Sequence, residues 1–127
     1  MRSAHSALRP AVVVLALVAG LALPATAFAG GFSARLIAHS HTPRVGLWPL
    51  TVTATRGAQK LSGTVRYQYL YQGSIVRKTA GGSFRRGVYH DELKWPTQAV
   101  GHKITLQVVV NTKYGTDYLN WWIRVRR

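Results

Sequence analysis

The sequence predicts an all-β fold, an immunoglobulin-like two-sheet antiparallel sandwich of about seven strands. Three observations predict it. Apolar residues recur at every second position in run after run, most cleanly at Leu50, Val52 and Ala54 and at Ile104, Leu106, Val108 and Val110. Clusters of Gly, Pro and polar residues interrupt these runs about every 8–12 residues. Past the amino-terminal apolar run, no stretch spaces its apolar side chains as a helix would. Side chains two apart share a strand face, so alternation of this kind buries one face and leaves the other in water.

In order, residues 1–29 read as an export signal and not as part of the fold. Arg2 and Arg9 form a basic head, Ala11–Leu23 an apolar middle, and Ala27, Phe28 and Ala29 a small-x-small end. The apolar run falls short of the roughly 18 residues of a spanning helix, so cleavage after Ala29 is expected. The product is then not an integral membrane protein. No Cys follows the run and no Arg pair precedes it, which indicates a Sec-type route and a secreted, extracellular place at the cell envelope. Taking 29 residues from 127 leaves 98, Gly30–Arg127, enough for one domain. This divides into a lead-in over 30–41 with a candidate first strand, and a sandwich over 42–127. The chain has no Cys, so packing must hold it together.

Phe32–Ala38 is that first strand, with Phe32, Ala34, Leu36 and Ala38 in phase. His39–Pro49 reads as a loop because it holds Pro43, Gly46 and Pro49. Leu50–Thr55 turns its threonines outward, Arg56–Lys60 makes a turn, and Thr64–Tyr71 carries Val65, Tyr67, Tyr69 and Tyr71 in phase. Gln72-Gly73 is a two-residue hairpin turn into a short partner, Ser74–Thr79, followed by a loop over Ala80–Gly87. Val88–Trp95 sets Tyr89, Leu93 and Trp95 in phase with Asp91, and Pro96–Lys103 crosses over. The last two strands form a hairpin across Thr112–Gly115, with Leu119, Trp121, Ile123 and Val125 inward and Trp122 outward.

The run Thr51–Gly73 resembles the second and third strands of bacterial immunoglobulin-like and fibronectin type III-like domains. There a threonine-rich strand, a small turn, Leu-x-Gly and a Val-x-Tyr strand follow one another, as Leu61, Gly63, Val65 and Tyr67 do here. Trp95–Val110 and the terminal strand complete a pattern similar to small secreted actinobacterial proteins of one such domain. The resemblance covers roughly Thr42–Arg127 and implies an architecture without catalytic residues. It departs from the antibody type in lacking a cysteine pair and in carrying Tyr where that type has Trp on the third strand.

Charge sets the function classes. Seventeen Lys and Arg face three acids, a net charge of +14, and without Arg2 and Arg9 fifteen face three, giving +12. Such an excess attracts anionic partners: teichoic acid, acidic glycans or phospholipid headgroups, with no specific nucleic acid implied. The alternative is charge that only keeps the surface soluble.

No enzyme is expected, and no cofactor or metal. His39 and His41 lack the further ligands of a metal site and read as solvated loop histidines. His90 and Asp91 are neighbours in a strand and point to opposite faces. Nothing resembles a nucleophile elbow, and the sequence does not bring Asp117 to Asp91 or Glu92. The expected ligand-binding set is instead an outward strand face of Arg66, Gln68, Gln107, Tyr118, Asn120, Trp122, Arg124 and Arg126, with Val109 beside it. An exposed indole can stack on a ring while guanidiniums hold phosphate or carboxylate. The competing arrangement pairs Trp122 with Val109 as ordinary cross-strand packing. The runner-up function is a structural or protein–protein module that recruits a partner by edge-strand pairing at Ser74–Thr79.

Overall fold

The computed structural model describes residues 26–29 and 31–127; residues 1–25 of the expected leader lie outside the described residues. The strands are β1 (Thr26–Ala29), β2 (Phe32–Ala38), β3 (Gly46–Arg56), β4 (Gln59–Lys60), β5 (Gly63–Tyr71), β6 (Ser74–Phe84), β7 (Val88–Trp95), β8 (Lys103–Thr112) and β9 (Gly115–Arg124). They make two antiparallel sheets: β1-β2-β3-β7, with the two-residue β4 also on β3, and β6-β5-β8-β9. The chain changes sheet after β4, after β6 and after β7, which is the immunoglobulin-like arrangement. The crossing after β7 turns through a 3-10 segment, Thr97–Ala99.

The inner faces meet in one core. Leu36, Val52 and Ala54 from one sheet and Tyr67, Leu106, Val108, Leu119 and Ile123 from the other are all buried. Each such aliphatic side chain, fully buried, contributes about 1.5–3 kcal/mol. At one end Trp95 packs edge-on against both Trp48 and Tyr69, each pair of ring centroids 5.7 Å apart.

Residues 26–29, expected to belong to a leader outside the fold, pair as β1 with β2. Four further local expectations differ from the structure. First, the expected loop His39–Pro49 ends early, because β3 begins at Gly46. Pairing with β2 stops at Leu50, so from Pro49 outward β3 has only β7 as a neighbour. A strand position with one open side can do without a backbone N–H.

Second, β6 runs on to Phe84 where a loop was expected from Ala80. It does so by register shifts opposite Tyr69/Leu70 and Val65/Arg66, which leave Val76 and Gly81 as bulges. At Gly81 a side chain would collide with the Val65 carbonyl and the Tyr67 ring.

Third, the segment before β3 is not a free loop. Arg124 N–H donates to His41 O at 2.8 Å and Arg126 N–H to Pro43 O at 2.9 Å, so 41–43 runs along the open edge of β9. His41 is therefore not a solvated loop histidine. Its ring lies between Trp121 and Trp122, with centroids 4.1 and 4.3 Å away and the planes nearly parallel.

Fourth, Val109 and Gln68 face outward by register yet are buried, at 0 and 9 % exposure. Val109 lies between Arg66 and Tyr118 in its row.

Candidate binding face

The outer face of β6-β5-β8-β9 is built in rows by the ladder register. Arg66, Val109 and Tyr118 form one row, and Gln68, Gln107 and Asn120 the next. Leu70, Thr105 and Trp122 follow, then Lys103 and Arg124. The amide row is closed on itself: Gln68 Nε2 donates to Gln107 Oε1 at 2.6 Å, and Gln107 Nε2 to Asn120 Oδ1 at 3.1 Å. This ladder ties three strands together and fixes the amide orientations between the aromatic rows on either side.

Of the expected residues, Arg66, Tyr118, Asn120, Trp122, Arg124 and Arg126 are exposed, Gln107 is half-buried, and Gln68 is buried. Arg126 lies past the end of β9. Its Nε donates to Thr42 O at 3.0 Å, while Arg124 Nη1 donates to Gly101 O at 2.6 Å. Each guanidinium is thereby anchored through one donor and keeps others for a ligand.

Trp122 is 44 % exposed, with one ring face against His41 and Lys103 Nζ 5.4 Å from its centroid. His41 Nδ1 also hydrogen-bonds to the Trp122 carbonyl at 2.6 Å, which holds the imidazole in place. In the row it pairs with Thr105, and Val109 pairs with Tyr118, so the cross-strand pairing of Trp122 with Val109 is not formed.

Sequence reasoning missed Lys78, Lys103 and His41. A plain two-residue turn at Gln72-Gly73 would set Arg77 opposite Gln68; the Val76 bulge moves Lys78 there instead. Lys103 begins β8 and pairs with Arg124. Together with His102, Leu70 and Gln72 these two cations line a depression of about 460 Å³ at one end of the face. Period-two alternation extended one residue back from Ile104 would have placed Lys103 outward.

No family model matches the chain, and no curated protein matches it. A solved chitin binding domain from Burkholderia pseudomallei is similar at a TM-score of 0.46 and 12% identity, over 68% of this chain and 57% of that one. The chain thus spans just over half the length of that structure.

The acids lie elsewhere. Asp91 accepts from Tyr67 Oη at 2.7 Å, Tyr89 Oη at 3.2 Å and the Glu92 N–H at 2.7 Å. Burial first, and then the Asp91 carboxylate, push both phenols above their ordinary range, so they stay protonated as donors. His90 faces the other way and meets Thr51 Oγ1 at 2.9 Å. Asp117 is 3 % exposed and its Oδ2 has no partner. Burial raises its pKa above the usual carboxylate range.

Proposed function

We propose that the chain is a secreted, non-enzymatic binding module that attaches to an anionic cell-envelope polymer or glycan through the outer face of β6-β5-β8-β9. One observation carries this reading: the register sets Arg66, Tyr118, Trp122, Lys103 and Arg124 on one face around a rigid amide ladder. Cations fixed by backbone contacts lose little freedom on meeting an anion, which favours binding. His41 covers one face of Trp122, so a ligand ring meets the indole only on what remains exposed.

The test is binding of a purified teichoic acid, with chitin as an uncharged polymer beside it. Affinity for the anionic polymer should fall steeply with salt, because exposed charges are screened over about 8–10 Å at ordinary ionic strength. Equal binding of both polymers, unaffected by salt, would contradict the reading. Secretion has its own check: protein from culture medium should begin Gly-Gly-Phe-Ser, whereas Met1 retained in a membrane fraction would contradict export with cleavage. Cleavage after Ala29 would also remove β1 from the edge of β2, with which it pairs through Thr26–Ala29.

A second reading, strand-to-strand association at β6, is favoured by the exposure of Ile75 (48 %) and Val76 (59 %). The bulges at Val76 and Gly81 and the charges of Arg77 and Lys78 oppose it, since both devices blunt an edge. A salt-insensitive dimer that grows with concentration would favour this second reading.

A further inference from the structure

The depression at the Lys103–Arg124 end of the outer face gathers positive charge with no acid beside it. Its volume is about 460 Å³, and Gln72, His102, Lys103, Thr105 and Arg124 line it. All three acids of the chain lie elsewhere: Asp91 and Glu92 on β7, and Asp117 buried on β9.

The ladders bring these residues together from three parts of the chain. Leu70 pairs with Thr105 and Lys103 with Arg124, so the β5–β6 turn, the start of β8 and the end of β9 meet here. Gln72 and Gly73 both take positive φ, 52° and 83°, the twist that a two-residue hairpin turn needs. Gln72 is therefore placed by the hairpin and not by a loose loop. The cations are placed as well. Arg124 Nη1 donates to Gly101 O at 2.6 Å, which leaves other guanidinium N–H groups for a ligand. Lys103 Nζ stands 5.4 Å from the Trp122 ring centroid, and His102 packs edge-on against Tyr71 with centroids 5.4 Å apart.

This donor set distinguishes between anions. A carboxylate is planar and offers two oxygens, which one guanidinium fork satisfies. A phosphate ester carries more charge and offers up to three oxygens in a tetrahedron, so it draws on donors arriving from several directions. Two placed cations, with an imidazole, a hydroxyl and an amide on three chain segments, suit the second shape. We propose that this depression is a phosphate subsite. The inference rests on the reading of the outer face as a polyanion site and narrows it: the polymer carries phosphate esters and not carboxylates alone.

The test titrates the isotope-labelled chain with inorganic phosphate, glycerol phosphate and acetate at one ionic strength. It follows the backbone amide resonances of Gln72, Gly73 and Lys103, with Lys113 beyond the far end of β8 as reference. Both phosphates should move the first three saturably and leave Lys113 still, with acetate weaker by about tenfold. Lys103→Gln should weaken phosphate binding by about tenfold, whereas Lys113→Gln should not change it. The proposal is overturned if acetate binds as tightly as phosphate, or if Lys103→Gln changes nothing. It is also overturned if phosphate moves the amides beside every Lys and Arg alike, as an adventitious ion would. Teichoic acid and polygalacturonate, a phosphate and a carboxylate polymer, then separate the subsite from the face. A preference for teichoic acid that Lys103→Gln removes supports the subsite. Equal binding of both, weakened alike by Arg66→Gln, overturns the subsite and leaves the polyanion reading standing. If neither polymer binds while phosphate still moves Gln72 and Lys103, the polyanion reading fails and the phosphate site stands alone.

Discussion

The outer face of the four-stranded sheet and a groove of about 500 Å³ between β6 and β7 share strand β6 but are built differently. On the face, cations stand around a Trp and a Tyr, and the polar groups between them are already satisfied by one another through Gln68, Gln107 and Asn120. In the groove, which Tyr69, Arg77 and Asp91 line, the carboxylate of Asp91 is held by the Tyr67 and Tyr89 hydroxyls. The difference teaches that net charge does not describe a whole surface: +14 is an average over a face that gathers cations and a groove that holds an acid.

The comparison rests on register, and the largest expected effect breaks register itself. Val108 is fully buried between Tyr67 and Leu119 in its row, so Val108→Asp buries an unpaired charge. Chemical denaturation should lose its cooperative transition altogether. A variant that unfolds like the parent would mean that the inward and outward rows are exchanged.

Next comes Asp117, a carboxylate on the inward side of the same sheet. Its folded pKa is raised by burial, so its contribution is fully present below the unfolded carboxylate range and is lost as pH rises through the raised value. Asp117→Asn should therefore stabilise the chain near neutral pH, because it removes a buried charge while keeping the shape of the side chain. Near pH 4 it should gain little. Urea midpoints of both chains at the two pH values would show it, and an equal gain at both would mean that ionisation is not the cause.

These two positions also show what the sequence made legible. Alternation alone placed Val108, Leu119 and Ile123 inward and Trp122 outward, because one buried face per strand dictates period two. It could not show Val109 as buried, since that depends on neighbours from other strands, and Arg66 and Tyr118 flank it in the row. The β6 register was hidden for a related reason: bulges at Val76 and Gly81 answer to the sandwich edge, not to local pattern. His39–Pro49 looked like a loop because Pro and Gly signal turns, whereas 41–43 finds its partners more than eighty residues away on β9. The groove was equally out of reach, for it forms between strands of different sheets.

A smaller effect sharpens the face itself. Trp122 is half exposed, so removing it should not unfold the chain, yet its ring stacks on His41. Trp122→Ser should cost about 1 kcal/mol, the scale of an aromatic pair. His41→Ala should cost a similar amount and leave Trp122 more accessible to quencher. If His41→Ala left quenching unchanged, the imidazole would not cover the indole.

The central claim is that polyanion binding is localised on the outer face, and charge-matched pairs of variants test it most directly. Lys60 is on β4 and Lys113 in the β8–β9 turn, both exposed and away from the row of Lys103 and Arg124. Teichoic acid affinity would be measured across ionic strengths for Arg124→Gln with Arg126→Gln and for Lys60→Gln with Lys113→Gln. The account predicts that the arginine pair weakens binding and flattens its salt dependence, because fewer counterions are released. The lysine pair should change both far less. Equal losses from the two pairs would contradict the claim and leave only diffuse charge.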